Sequence, residues 1–452
     1  MLAELVTNGT IGNILGMGTG IGVIAGSLYG LFHQSEDKEN KICTFKELKS
    51  LSGDGIMCSK NVRLSVKQSN EHVIMIAPSG AGKTRRFIMH NVNHLKNCSL
   101  IVTDPSGEIE QTCKTDKKKY ILNPFSKNTV GYDPLFNCKN DFEVRNIAKV
   151  ILKNGMVASD DNSGSQENWI SMATPLLASY MLMNYHTKTY SFDKMIENIC
   201  ILPITSEVVK DKKGKIIKAT KSIELEIMMS NVQCAIIEFK SFMQVIEARQ
   251  TLSSIRTVMN SCLQLFLDDS LKDMLTKPSI SMSDIREREC VVYIQIPEHH
   301  SDYFSPLIAT FLTQMFNYLL ENDGLQVFCM IDEFGSCGLI PSCCSILSTI
   351  RKHNVTIVAA IQSLTQLSSL YGELQGKQLK DLFKTILVCS GLKESAEYIS
   401  NLLGGEEYIE NKITQSRKLM SPSEVRMMSK KDMLIICDNK RPVIDTMMDI
   451  VA

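Results

Sequence analysis

The 452-residue sequence has no excess of charge of either sign, because 49 Lys and Arg residues balance 49 Asp and Glu residues. This balance excludes a chain-wide basic surface for nucleic acid or acidic lipid, so any such contact must come from a local patch. The 15 cysteines form no Cys-x-x-Cys pair and no zinc-binding spacing. We expect reduced thiols in a cytosolic compartment and, at this length, two or three domains.

Charged residues are also missing from a long stretch near the N-terminus, Leu5–Phe32. About 20 apolar residues are enough to cross a bilayer, and glycines at every fourth position from Gly18 to Gly30 would let helices approach closely in lipid. Lysines follow the stretch, and none precedes it. The sequence therefore predicts a membrane anchor at residues 1–36, with one transmembrane helix at residues 11–32 in the cell (inner) membrane and the catalytic domains in the cytoplasm. The alternative is a Gly-rich leader without regular structure.

The run HVIMIAPSGAGKT, His72–Thr84, has the order of strand, small-residue turn and helix start that a phosphate-binding loop (P-loop) needs. Lys83 would reach the β and γ phosphates of ATP, and the Thr84 hydroxyl would be a ligand of Mg²⁺. Ala77 stands where the usual motif has its first glycine, and a chance Gly-Lys-Thr turn is the alternative interpretation. The residues predicted to bind the nucleotide are Ser79, Gly80, Ala81, Gly82, Lys83 and Thr84.

An acidic pair follows an apolar segment later in the chain, in LQVFCMIDEF. Leu325–Ile331 is almost continuously apolar, as expected of a strand that is covered on both faces. Asp332 and Glu333 come directly after it, at the strand end where open α/β sheets bind their ligands. Asp332 would hold the Mg²⁺ ion, and Glu333 would be the general base for the attacking water. An acidic pair after an apolar run is common by itself. It supports a catalytic site here because a P-loop precedes it in the chain.

Two further catalytic candidates lie in the next segment. Gln362 comes near the end of the predicted strand Val355–Ser363, where its amide would sense or orient a γ-phosphate. Arg351, in STIRKHN, follows a predicted helix and would face a neighbouring subunit, where it would stabilise charge on the transferred phosphoryl group. A plain strand-end glutamine and a solvated surface arginine are the alternatives.

These segments resemble a known family, the type IV secretion coupling proteins, which are TraG/TraD-like conjugative DNA-transfer ATPases. The resemblance covers nearly all of residues 40–445 and is carried by APSGAGKT, SLIVTDPSGE and, above all, IDEFGSCGLIPSCCSILSTIRKHNVTIVAAIQSLTQLSSLYG. In the last run, Glu333, Arg351 and Gln362 occur in the family's order and spacing. Two departures stand out: this chain offers one membrane span where relatives often have two, and Ser106 where they often have lysine.

The resemblance implies a RecA-like P-loop core with an inserted all-α domain, assembled as a membrane-anchored hexamer that uses ATP and Mg²⁺. Such a motor passes a relaxase-bound single DNA strand, and sometimes protein effectors, to a type IV secretion channel. The expected partners are therefore DNA with its relaxase, channel components and other copies of this chain.

Alternating strands and helices predict an α/β fold with a mostly parallel sheet. We expect the RecA-like domain in two parts, residues 37–136 and 286–452, separated by the all-α domain at residues 137–285. Within the insertion, Glu207–Lys221 predicts a hairpin whose lysines would lie in a solvated turn or, alternatively, contact phosphate. The predicted strands are Val73–Ile76, Leu100–Thr103, Val291–Ile296, Gln326–Ile331, Val355–Ile361, Thr385–Cys389 and Met433–Cys437.

Two other functions compete with the coupling ATPase. The first is a DNA translocase of the FtsK/HerA type, which works in partitioning or packaging and shares the core and the hexamer. The inserted domain and the order of motifs after Glu333 argue against it. The second is a membrane receptor that binds nucleotide without turnover and recruits secretion substrates, and the complete set of Lys83, Asp332 and Glu333 argues against that.

Overall fold

The computed structural model describes the chain from residue 53 almost to its end. The predicted membrane anchor, residues 1–36 with the span at 11–32, lies outside the described residues. Within the described part, no helix combines the length and the apolarity that a bilayer crossing needs. The described residues are 42, 53–157, 166–210, 216–245, 249–410, 413–438 and 440–451.

The strands form one large sheet and two hairpins. In chain order they are β1 (Val73–Ile76), β2 (Cys98–Thr103), β3 (Lys118–Leu122), β4 (Val208–Lys210), β5 (Ile216–Ala219), β6 (Cys290–Ile294), β7 (Gln326–Ile331), β8 (Val355–Ile361), β9 (Thr385–Cys389), β10 (Gly405–Glu410), β11 (Ile413–Lys418), β12 (Asp432–Cys437) and β13 (Val443–Thr446). The nine-stranded sheet has the order β13-β12-β9-β1-β8-β7-β2-β6-β3.

The large sheet is parallel from β9 to β3. Only the edge that β12 and β13 form is antiparallel. Strands β1, β2, β6, β8 and β9 are buried over their full length, which is the pattern of a parallel sheet covered on both faces. The predicted α/β class with a mostly parallel sheet is therefore confirmed.

Strands β1, β7 and β9 begin and end where the sequence predicts them, and β8 matches the predicted range Val355–Ile361 but not the longer range Val355–Ser363. Strand β3 was not predicted, because its sequence begins with charged residues. Among the described strands it is an edge strand that pairs only with β6. Lys118 and Lys119 at its start are exposed, while Tyr120 and Leu122 are buried. Lysines are common on edge strands because they discourage pairing with another chain. The two lysines are therefore compatible with a strand at this position.

Helices cover both faces of the sheet, and their chain order alternates with the strands. The helices outside the insertion are Val66–Ser69, Lys83–Ile88 with its continuation Met89–His94, Glu108–Thr112, Met282–Glu287, Ser301–Glu321, Cys343–Ile350, Thr365–Tyr371, Glu373–Leu382, Ser395–Leu403 and Pro422–Arg426.

The segment between β3 and the helix Met282–Glu287 is mainly helical. It also contains the hairpin that the sequence predicts within Glu207–Lys221, present as antiparallel strands β4 and β5, so the insertion is not purely α. The turn of this hairpin, residues 211–215, lies outside the described residues. The helices of the segment are Asp141–Val157, Gln166–Thr187, Phe192–Ile201, Ile223–Met229, Gln233–Val245, Arg249–Leu263 and Asp269–Thr276.

Alternate residues of the central strands enter two separate cores. In β1, Val73 and Met75 belong to the core on one face, and Ile74 and Ile76 belong to the core on the other. The inserted helices add their buried side chains, such as Phe239, to the core that contains Ile74. The insertion is thus packed onto one face of the sheet through a continuous apolar core.

His72 fixes the start of β1, the strand that leads into the P-loop. Its backbone is left-handed, with φ of 66°, and its side chain is buried. The Nε2–H group donates to the Leu347 carbonyl at 2.8 Å, and Nδ1 accepts from the Ile357 amide at 3.1 Å. Burial lowers the pKa of His72 from 6.5 to about 4, so the ring is neutral in the folded protein at pH 7.

We predict that His72 makes the protein lose stability on mild acidification. The folded-state pKa is below the unfolded value, so the unfolded chain binds more protons between about pH 6.5 and pH 4. The free energy of unfolding should fall by about 2 kcal/mol from this residue between pH 7.5 and pH 5. Asparagine tolerates left-handed backbone, so His72→Asn, although less stable overall, should lose that part of the pH dependence in urea unfolding.

The matched control is His299→Asn, because His299 is exposed, and this variant should keep the wild-type pH dependence. If His72→Asn retains the full difference between pH 7.5 and pH 5, the buried histidine is not the source of it.

Candidate nucleotide-binding site

The turn after β1 has the backbone of a P-loop. The Ala77 amide donates to the Ile361 carbonyl at 3.0 Å, which fixes the start of the turn against β8. Gly80 and Gly82 have φ of 76° and 94°, a left-handed conformation that glycine adopts without strain. Within the described residues, the amides of Ser79, Gly80 and Gly82 donate to no protein acceptor. They are therefore available to an anion, as expected for a phosphate-binding turn.

The helix that begins at Lys83 places the two polar residues of the motif. Its first part, Lys83–Ile88, is wound with wider turns than an α-helix, and the chain continues as a regular helix from Met89 to His94. The inner face of this segment carries four apolar residues that are all buried: Phe87, Ile88, Val92 and Leu95. This face packs the helix against the sheet. Lys83 and Thr84, at the start of the helix, line the cleft beside the turn.

Lys83 lies between two carboxylates. Its Nζ is 3.1 Å from Glu333 Oε2 and 3.9 Å from Asp332 Oδ1. Lys83 and Glu333 are only 9% and 8% exposed. Two adjacent carboxylates in a buried position would repel each other, and a single cation between them compensates for that repulsion.

Asp332 has the surroundings of a magnesium ligand. The Thr84 hydroxyl donates to Asp332 Oδ2 at 2.8 Å, while Asp332 Oδ1 is buried and accepts no hydrogen bond within the described residues. Burial raises the pKa of Asp332, and the attraction of Lys83 offsets part of that rise. Carboxylate and hydroxyl oxygens suit Mg²⁺, and the free oxygen offers a coordination position. The residues present therefore fit the ion that the sequence predicts.

Glu333 is held by two glutamines as well as by Lys83. Gln362 Nε2 donates to Glu333 Oε2 at 3.1 Å, and Gln366 Nε2 donates to Glu333 Oε1 at 2.6 Å. The sequence predicts Gln362 but not Gln366. Gln366 follows in QSLTQL after the chain has changed from strand to helix, so only the repeat of glutamine in that run could have indicated it.

Within one chain, Arg351 lies apart from the other predicted site residues. It follows the helix Cys343–Ile350, as predicted, but it precedes β8 and so lies at the opposite edge of the parallel sheet. Its Nη1 is 2.6 Å from Glu71 Oε2, and both side chains are about 40% exposed, at 43% and 39%. An exposed ion pair of this kind contributes little to stability, so Arg351 can exchange Glu71 for another anion.

The segment TDPSGE, Thr103–Glu108, supports the cleft from one side. Asp104 is buried and accepts hydrogen bonds from the amides of Ile109 and Glu110 at 3.0 and 2.9 Å, which fixes the helix that begins at Glu108. Glu108 lines the P-loop cleft, whereas Ser106 lines a separate cavity. Ser106, one of the two departures that the sequence shows, therefore does not line the P-loop cleft.

These groups surround a single open cleft with a volume of about 1010 Å³. That volume is large enough for a nucleoside triphosphate. Its wall contains the whole turn from Pro78 to Lys83 and, opposite, Arg426, Met427 and Ile450 near the end of the chain. The predicted residues Ser79, Gly80, Ala81, Gly82, Lys83, Thr84, Asp332, Glu333 and Gln362 all line it.

Outside this cleft, the described residues contain one group of three potential metal ligands, Asp141, His186 and Cys234. Asp141 Oδ1 accepts a hydrogen bond from His186 Nε2 at 2.7 Å. Burial raises the pKa of the Cys234 thiol, and its hydrogen bond to the Asp141 carboxylate raises it further. The protonated thiol and the imidazole thus satisfy the carboxylate without a metal, and we assign no metal site there.

A P-loop next to an acidic pair, at the carboxyl edge of a parallel sheet, defines the class of P-loop NTPases. The chain belongs more narrowly to the family whose model is described as "Type IV secretory system Conjugative DNA transfer", which matches residues 34–447. The resemblance seen in the sequence is therefore confirmed at the level of the family.

Two relatives show how far sequences diverge within this family. Coupling protein TraD of Escherichia coli (strain K12) is 23% identical over 350 residues, which are 73% of this chain and 43% of TraD. Protein VirD4 of Rhizobium rhizogenes is 22% identical over 203 residues, which are 40% of this chain and 30% of VirD4. The aligned part of the chain thus spans less than half the length of either relative.

Solved structures confirm the fold. Plasmid coupling protein TrwB in complex with ADP and Mg²⁺ superposes with a TM-score of 0.72 at 18% identity, covering 91% of this chain and 94% of that one. VirB4 of Thermoanaerobacter pseudethanolicus superposes less closely, with a TM-score of 0.51 at 12% identity, covering 90% of this chain and 98% of that one. At these identities the likeness concerns the fold alone.

Proposed function

We propose that this chain is the ATP-hydrolysing coupling motor of a type IV secretion system. The observation that carries the proposal is the direct contact of Lys83, Thr84, Asp332 and Glu333 in one cleft. A binding site without turnover has no need of a buried carboxylate beside the magnesium ligand. Membership of the conjugative DNA transfer family adds the biological setting.

In the proposed reaction, the P-loop amides and Lys83 bind the phosphates of ATP. Thr84 and Asp332 would hold Mg²⁺, which would neutralise phosphate charge when bound. Water attacks the γ-phosphorus, Glu333 accepts the proton of that water, and the bond between the γ-phosphorus and the β–γ bridging oxygen breaks to give ADP and phosphate. Gln362 lies within reach of the same carboxylate, where its amide can orient the water or the γ-phosphate.

The assembly that we propose is a hexamer at the inner membrane, with one span at residues 11–32 and the ATPase domains in the cytoplasm. It would pass single-stranded DNA with its relaxase, and protein effectors where these are the cargo, to the secretion channel. The names of the relatives, coupling protein TraD and plasmid coupling protein TrwB, support this role.

The hexamer gives Arg351 a function that it lacks in the single chain. Each cleft lies at the edge of its own sheet and is open to solvent, so a neighbouring subunit can complete the charge around the γ-phosphate. Arg351 is exposed, and among the described residues its side chain pairs only with Glu71. We propose that it leaves Glu71 and acts as an arginine finger in the cleft of the adjacent subunit.

We predict that Glu333→Gln binds ATP but hydrolyses it at least about 100-fold more slowly, because the variant keeps the shape and loses the proton acceptor. Binding of labelled ATP and release of phosphate would be measured on the same preparation. Glu373→Gln is the matched control, since Glu373 is exposed on a helix outside the cleft, and it should behave like the wild type. Loss of ATP binding in Glu333→Gln would show that Glu333 is a structural residue and not the base.

We predict that Arg351→Ala and Lys83→Ala are each inactive alone and partly active when mixed. An arginine finger contributes on the order of 1000-fold to turnover, and mixed rings contain interfaces where an intact P-loop meets an intact arginine. Lys352→Ala, an exposed neighbour, should keep full activity. Subunit exchange would be followed with two fluorescent labels.

If mixed rings form and stay inactive, a covalently linked dimer that carries both changes in one subunit distinguishes the two remaining explanations. Activity of that dimer would show that Arg351 acts within its own subunit. Inactivity would show that the ring does not tolerate a defective site.

A further inference from the structure

The Glu333 carboxylate accepts hydrogen bonds from three side chains, and these bonds are divided unequally between its two oxygens. Lys83 Nζ and Gln362 Nε2 both donate to Oε2, each at 3.1 Å. Gln366 Nε2 donates to Oε1 at 2.6 Å, which is the shortest of the three distances. Among the described residues, Oε1 of Glu333 therefore accepts a hydrogen bond from Gln366 alone.

The orientation of the Gln366 amide follows from its other contacts. Gln366 Oε1 accepts from the backbone amides of Gln362 at 2.8 Å and of Ser363 at 3.4 Å. A backbone N–H group can only donate, so the side-chain oxygen must face it and the NH₂ group must face Glu333. Gln366 is thus a fixed donor to the carboxylate, tied to the end of β8.

The surroundings of Gln366 hold it close to the loop that carries Glu333. A Cβ added to Gly335 would lie 3.3 Å from Gln366 Cβ, so the loop passes directly against this side chain. Further along the same helix, Tyr371 stacks on Phe334 with a ring-centroid distance of 6.4 Å. Glu333 itself has φ of 58°, a left-handed conformation that a non-glycine residue keeps only when its neighbours impose it.

The three donors have different tasks once ATP is bound. Under the proposed function, Lys83 moves to the β and γ phosphates and Gln362 turns to the γ-phosphate, so both leave Oε2. Gln366 faces the carboxylate from the side of the helix Thr365–Tyr371 and is not among the residues that line the cleft. We propose that Gln366 is a positioning residue that keeps Glu333 Oε1 in place, so that the vacated Oε2 faces the attacking water.

Two substitutions of Gln366 test the inference. Gln366→Glu keeps an oxygen for the Gln362 amide but places a carboxylate oxygen against Glu333. Gln366→Met removes all three side-chain hydrogen bonds, to Glu333 and from the amides of Gln362 and Ser363, at nearly the same volume. This inference rests on the proposed ATP hydrolysis and predicts that both variants lower kcat by about 10-fold or more, while the Kd for ATP stays within about 2-fold. Thermal melting would confirm that each variant is folded.

Two further measurements separate positioning from a general structural role. In the Glu333→Gln background, Gln366→Met should add no further loss to the residual turnover, because residues that act as a unit are non-additive. Gln378→Met, an exposed glutamine on the next helix, should leave kcat unchanged.

The outcomes are distinct. Equal kcat in Gln366→Glu, Gln366→Met and the wild type would overturn the inference and leave the proposed function standing. Weaker ATP binding in parallel with kcat, or a further loss on top of Glu333→Gln, would overturn it too, since Gln366 would then act through something other than Glu333. Absence of ATP turnover in the wild type would overturn the proposed function and this inference together.

Discussion

The site depends on the attraction between the Lys83 ammonium and the carboxylates of Asp332 and Glu333. The two acids are adjacent in the chain and buried, and Lys83 is the cation that compensates for their charge in this structure. The same cation is the one that a nucleoside triphosphate needs. In the reaction that we propose, phosphate would compete with Glu333 for Lys83, and binding of ATP would free the carboxylate at the moment when a base is required. This exchange would couple substrate binding to the readiness of the base.

The order of strands makes that exchange possible. Strands β1, β8 and β7 are neighbours in the sheet and run parallel, so their carboxyl ends bring the P-loop, Gln362 and the acidic pair to one edge. Residues that precede the strands lie at the other edge, where Arg351 contacts Glu71. The topology thus separates the groups that act within a chain from the group that we assign to a neighbour.

Much of this arrangement was predictable from the sequence, because the P-loop and the acidic pair have short local patterns. Lys83, Thr84 and Asp332 follow from spacing and from the end of an apolar strand. The edge strand β3 was missed since its lysines obscure the strand pattern. Gln366 was missed because its role arises only when a helix packs against the loop after Glu333, and no local pattern encodes that packing. The trans role of Arg351 depends on a second subunit and stays a prediction.

The central claim is that the Lys83 site turns over ATP in the service of DNA transfer. The most direct measurement is steady-state hydrolysis of Mg²⁺-ATP by the full chain, with and without single-stranded DNA, beside Lys83→Ala. The account predicts turnover that DNA stimulates and that the variant lacks, since Lys83 is the expected cation at the phosphates. Tight ATP binding by the wild type without turnover under either condition would contradict it and identify a nucleotide-bound receptor.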